Sequence, residues 1–309
     1  MSSQRDVTRA WLQIHFCVVL WGFTAILGKL ITLESVPLVL WRMGLVAFAL
    51  FLWPRVWRSM RALPRQLIGA YVGVGCIVAL HWLTFYGAIK LANASVAATC
   101  IATVPIFLAL IEPALTGRRF RWWELLLGLL AVPGIALLVG GTPEHMNVGI
   151  LVGIASAFFA ALFAALNKRL ILRAGALSVT AIEMGAGAVF IGVILVGLML
   201  TGASGVAGMF DADQSLLPGA NDAIWLLVLA FGCTLLPFAL SLVALRHLSA
   251  YASALAVNLE PVYAIILAII ILGEQAELEP TFYLGAALII SVVLIYPRLQ
   301  ARANRAAAT

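Results

Sequence analysis

Residues 251–274 read YASALAVNLEPVYAIILAIIILGE, and residues 95–118 read SVAATCIATVPIFLALIEPALTGR. Each is apolar over about the 20 residues that a bilayer-spanning helix needs. Each has a proline near its centre, Pro105 and Pro261, and a glycine near its end, Gly117 and Gly273; both pairs lie 156 residues apart. One spanning design therefore occurs twice. The second copy also holds Asn258 and Glu260 at membrane depth, where polar and ionisable groups are tolerated when they face a cavity or a partner.

The rest of the chain extends this pattern. Of its 309 residues, 64% are hydrophobic and 10% charged, against about 25% charged in a soluble domain. Apolar runs cover roughly 11–31, 36–54, 67–90, 94–116, 122–140, 148–172, 177–201, 222–246, 250–272 and 280–297. The first is longer than the apolar region of a signal peptide and has no small-residue cleavage pattern behind it, so it reads as a retained span. With the N-terminus inside, 16 of the 19 Lys and Arg residues fall in cytoplasmic segments, while acids collect in the outer loops. This bias places both termini in the cytoplasm. It also makes the net charge of +6 a topology signal, one that can also meet anionic headgroups, rather than a nucleic-acid footprint.

The first five runs resemble the second five. VLWGFTAILGKLI (19–31) aligns with FFAALFAALNKRL (158–170), LWRMGLVAF (40–48) with AIEMGAGAVF (181–190), and FYGAIKLANAS (85–95) with SLVALRHLSAY (241–251). Because five is odd, the second copy enters the membrane from the opposite side. The expected fold is all-α integral membrane: ten transmembrane helices as two inverted five-helix repeats, 11–140 and 148–297, around a central cavity. Inverted repeats of this kind mark carriers whose substrate site lies near the midplane. Val104 opposite Glu260 and Arg118 opposite Glu274 suggest that the halves do not make equivalent polar contacts.

Trp21-Gly22, Arg42, residues 85–98, NLEPVYA at 258–264 and LGE at 272–274 resemble the EamA-domain transporters of the drug/metabolite transporter superfamily. The resemblance covers nearly the whole chain and is not specific for substrate. It implies a ten-helix basket and export or exchange of small polar metabolites; exporters of aromatic and other neutral amino acids are the nearest members. A multi-pass inner-membrane location goes with it.

Candidate substrate contacts come from polar and aromatic residues at membrane depth. His81 and Trp82 lie mid-span, with Phe85 and Tyr86 on or beside the same face. His81 reads as a cavity-lining group, against a helix–helix hydrogen bond. Thr99 and Thr103 share one face before Pro105, although threonine also bonds to its own i−4 carbonyl. Trp21, Phe159 and Phe163 suit aromatic cavity walls, against plain packing. Asn258 and Glu260 are about 200° apart on a helix, so one lines the cavity and the other caps or pairs; Glu260 is the gating or coupling candidate. Pro105 and Pro261 each free an upstream carbonyl, useful for gating, or simply kink the helix. Arg42 and Glu183, at equivalent repeat positions, either pair or snorkel.

Other chemistry finds little footing. There is no Walker A and no HExxH; the cysteines Cys17, Cys76, Cys100 and Cys233 stand alone in apolar runs. No cofactor or metal is expected, and an enzyme is disfavoured by the sparse membrane-depth polars. The expected partners are a small-molecule substrate and the lipid bilayer, with no nucleic acid, and the carrier is expected to be a monomer. Proton coupling and facilitated diffusion both remain open.

Overall fold

The structure is a computed structural model and describes residues 4–117, 119–122, 124–126, 132–201, 216–257, 259–291 and 295. The described residues are helical, with no strand among them. The helices are α1 (Gln4–Leu30), α2 (Ser35–Phe51), α3 (Pro54–Arg61), α4 (Arg65–Leu91), α5 (Ala94–Ile101), α6 (Val104–Thr116), α7 (Val132–Gly140), α8 (Asn147–Leu170) and α9 (Ala176–Thr201). After these come α10 (Ala220–Ala244), α11 (Ala250–Val257), α12 (Glu260–Leu272) and α13 (Pro280–Ser291).

Six of these helices or collinear pairs are long and apolar enough to cross a bilayer. By length the described residues give six spans, or seven if the bent pair α2–α3 is one, with α12 and α13 as shorter apolar helices, set beside the ten expected. The shortfall falls on particular segments. The second ends at Phe51 because Pro54 starts a new helix that turns away by 89°. That helix, α3, carries Arg55, Arg58 and Arg61 on a short amphipathic turn, the composition of a helix lying in a membrane interface. Part of the fifth, residue 258 in the ninth and most of the tail of the tenth lie outside the described residues.

Packing interleaves the two halves. α4 lies against α8, and α1 against α10; α2 meets α9; α5 and α6 meet α8, while α11 and α12 meet α1; α4 meets α9, and α2 meets α10. Exchanging the first five segments with the second five maps this set onto itself. Large apolar side chains such as Leu200, Leu172, Val189 and Ile270 stay exposed, as expected where the surrounding solvent is lipid rather than water.

The twin proline segments are built alike. Pro105 and Pro261 each sit in the first turn of a new helix, α6 and α12, where the missing N–H would have had no partner anyway. Ahead of Pro105, Thr99 O accepts from Ala102 N and Cys100 O from Thr103 N, the tighter turn that links α5 to α6. Gly117 and Gly273 end these segments with φ of 73° and 70°, the left-handed conformation that glycine adopts without strain.

Reciprocal carboxylates join the halves. Glu274 accepts from Ala94 N (3.0 Å), Ser95 N (2.9 Å) and Ser95 Oγ (2.7 Å) at the start of α5. Glu112 accepts from Ala250 N (3.0 Å) and Tyr251 N (3.1 Å) at the start of α11. Ala94 and Ala250 are equivalent in the repeat, so the polar contacts match at these two helix starts, whereas Val104 and Glu260 stay inequivalent in the cavity wall. The equivalence is kept by the helix starts and not by the acids, which arrive from different registers. Two cations complete the pattern. Lys90 Nζ donates to Ile31 O past α1 (2.6 Å), and its repeat partner Arg246 Nη2 donates to Ala174 O past α8 (2.8 Å). Such contacts satisfy helix-end groups that would otherwise lack partners.

Candidate functional site

A cavity of about 130 Å³ opens between the repeats. Its walls come from both halves: Trp21 and Thr24 of α1, Arg42 of α2, His81, Trp82 and Phe85 of α4, and Ile101 and Val104 at the α5–α6 junction. The second half supplies Phe163 and Asn167 of α8, Phe238, Ser241 and Leu242 of α10, Ser253, Ala254 and Val257 of α11, and Glu260 of α12. Apolar surface therefore dominates the wall, with indole and phenyl rings from both halves and polar groups set among them.

Arg42 is the best-held charge in the wall. It is 2% exposed. Its Nε donates to Thr234 Oγ1 (2.6 Å), Nη1 to Tyr86 Oη (2.7 Å) and Nη2 to Cys233 O (3.5 Å). The guanidinium lies 3.8 Å from the Trp82 ring centre, a cation–π contact. Thr234 is presented by a π-helical stretch of α10, Val228–Leu235, where its hydroxyl also bonds back to Leu229 O (2.6 Å). Such wide turns recur at functional sites. Arg42 neither pairs with Glu183 nor snorkels: α4 and α10 supply its acceptors, while Glu183 points to Asn167 of α8.

His81 both lines the cavity and bonds across to α8, so the two readings of this residue coexist. Ser156 Oγ donates to His81 O (2.9 Å), which uses its only hydrogen; His81 Nδ1 lies 3.0 Å from Ser156 O and 2.9 Å from Ser156 Oγ. This network places a proton on Nδ1. Phe85 and Phe163 flank the imidazole, with ring centres 6.2 and 5.4 Å away.

The remaining sequence candidates divide cleanly. Trp21, His81, Trp82, Phe163 and Glu260 line the cavity. Tyr86 stands behind the wall as a partner of Arg42. Thr99 and Thr103 are buried and bond to Ser95 O (2.8 Å) and Cys100 O (2.6 Å). Phe159 is not in the wall and meets Phe158 edge to face. Pro105 and Pro261 shape the helix starts beside the cavity without lining it. Asn258 lies outside the described residues. The sequence reading missed Phe238, Ser253 and Asn167 as wall residues; each looks like an ordinary core or packing position in its own helix, and only the crossing angle brings it inward.

No metal-binding group of three or more His, Cys, Asp or Glu occurs among the described residues. The comparisons agree with this architecture. No curated protein matches significantly. A solved crystal structure, described only as "Crystal structure of protein", is 18% identical and superposes with a TM-score of 0.65 over 96% of this chain and 98% of that one; at that identity it speaks for the fold alone. The model of the EamA-like transporter family matches twice, at residues 9–140 and 147–296. With a repeated family match over nearly its whole length and a set of membrane-length apolar helices, this multi-pass membrane chain belongs to the EamA-like transporter family.

Proposed function

We propose that the chain is a secondary exporter of small neutral or zwitterionic metabolites, aromatic and hydrophobic amino acids first among them. It would act as a monomer in the inner membrane, both termini cytoplasmic, by alternating access. The observation that carries this reading is the cavity wall. Aromatic rings surround one guanidinium and one carboxylate, and Arg42 directs its contacts to Thr234, Tyr86 and Cys233 rather than to Glu260.

Of the five N–H groups on a guanidinium, those three contacts use one hydrogen each. One hydrogen on each terminal nitrogen remains for a substrate carboxylate. Glu260 offers the complementary acceptor for an ammonium group, and Trp21, Trp82 and Phe163 offer faces for an apolar side chain. A zwitterion satisfies both charges at once and brings no net charge into the bilayer. Alternating access draws support from the caps at the two membrane faces, where Glu274 holds α5 and Glu112 holds α11. Two separate caps of this kind allow one face to open while the other stays shut.

The test is counterflow of labelled phenylalanine in liposomes carrying purified protein, wild type against His81→Ala. Uptake in the wild type that falls at least tenfold in the variant supports the reading. Folded wild-type protein that fails with every common neutral amino acid removes this substrate class and leaves another small metabolite or drug.

A further inference from the structure

Behind the cavity wall lies a carboxyl that the proposed transport path does not use. Glu183 of α9 is fully buried and Asn167 of α8 is 1% exposed. Asn167 Nδ2 donates to Glu183 Oε2 at 3.3 Å. The other oxygen of each side chain, Glu183 Oε1 and Asn167 Oδ1, has no partner. Two acceptors are thus left over on two groups that are already joined by one hydrogen bond.

One hydrogen resolves both vacancies. A non-ionised carboxyl beside a primary amide closes a ring of two hydrogen bonds: amide N–H to one carboxyl oxygen, and carboxyl O–H to the amide oxygen. The observed bond is the first; a proton on Oε1 supplies the second, donated to Asn167 Oδ1. An ionised carboxylate has no hydrogen to give and leaves both acceptors bare, which is expensive inside a protein.

Among the described residues no cation is ion-paired to Glu183. From α4, the backbone at Gly75 meets Glu183 so closely that an added Cβ would lie 2.4 Å from Glu183 O. Tyr71 of the same helix gives its hydroxyl to Leu170 O (2.8 Å). Arg246 Nη2 donates to Ala174 O (2.8 Å) rather than to Glu183. From α2, Met43 packs on Gly187, one turn further along α9. α3, with Arg55, Arg58 and Arg61, and α10 also pack on α9; the side chain hydrogen-bonded to Glu183 is Asn167, which also belongs to the cavity wall.

We propose that Glu183 is a proton-binding site, its carboxyl closing a ring with the Asn167 amide and exchanging its proton with the transport cavity past that amide. On release, the Glu183 O–H bond breaks, the proton passes to cavity water, and the carboxylate stays held by Asn167 Nδ2. This rests on the carrier reading above and gives that carrier a coupling ion, the proton.

Glu183→Gln is the informative variant, because an amide at this position closes the same two-bond ring and mimics the protonated acid permanently. Infrared spectroscopy of the reconstituted protein at neutral pH then compares the two. The wild type should show a non-ionised carboxyl C=O band that Glu183→Gln lacks and Glu260→Gln does not remove. Identical carboxyl bands in wild type and Glu183→Gln overturn the proposal. The transport arm uses labelled phenylalanine: Glu183→Gln should keep counterflow within about twofold of wild type while losing the extra accumulation that a pH gradient drives. A variant that keeps that accumulation overturns the coupling role. Absence of counterflow in the wild type counts against the substrate reading instead, and the infrared comparison still decides whether Glu183 holds a proton. Where Glu183→Gln does not fold, Asn167→Ala reads the same bond: the band should move as its acceptor is lost, and an unmoved band sinks the ring.

Discussion

At the scale of single residues, Arg42 is the group whose replacement says most. Lysine keeps the charge but has no planar fork and cannot serve Thr234, Tyr86 and the Trp82 face together. Losing one charge-assisted hydrogen bond costs about 1.5–3 kcal/mol. Arg42→Lys should therefore raise the KM for phenylalanine counterflow about tenfold or more, and unchanged kinetics would make Arg42 a purely structural residue. Glu260→Gln removes the carboxylate without changing its size. Uptake of a zwitterion should weaken about tenfold while uptake of an analogue lacking the amino group should not, as paired uptake assays would show. Much of this site was legible in the sequence. His81 and Glu260 stood out as polar side chains in apolar runs, and both reach the cavity. Arg42 was visible but given the wrong partners. Repeat-equivalent positions are related by symmetry, which does not bring their side chains together; the facing helices decide, and for Arg42 those are α4 and α10.

At the scale of helices, backbone rules carried the reading and long-range contacts did not. Gly117 and Gly273 could be matched by eye because a helix end of this type asks for glycine locally, and both take positive φ. Gly273→Ala should lower stability by about 1–2 kcal/mol, the penalty of placing a Cβ in that conformation, measurable as a lower unfolding temperature in detergent. Glu112 and Glu274 could not be matched, since they occupy different offsets from their prolines; only the fold shows that they serve equivalent helix starts. Replacing either by glutamine should weaken one membrane face selectively. Glu274→Gln should increase thiol labelling of a cysteine at Ala92, and Glu112→Gln that of a cysteine at Ser249, in protein lacking the native cysteines. Equal labelling at both faces in either variant would show that the caps stabilise without gating.

For the whole molecule, the interleaved packing matters more than the number of spans. α4 rests on α8 and α9, and α1 on α10 and α12, so neither half buries its own inner faces. A chain divided between residues 143 and 144 should give functional protein when both pieces are made together and none when either is made alone, as counterflow and detergent-stable association would report. Activity from one piece alone would contradict the shared cavity. The crossed carboxylates carry a further consequence, one of timing. A ribosome completes α5 about 180 residues before it reaches Glu274, the acid that caps it. Until then the first N–H groups of that helix must borrow water or lipid headgroups, because bare donors within a bilayer cost several kcal/mol each. The α11 helix meets no such delay, since Glu112 is already made when Ala250 emerges. On this order of synthesis the nascent chain lacks the cap on its first half for most of its length, until the segment just after α12 supplies it.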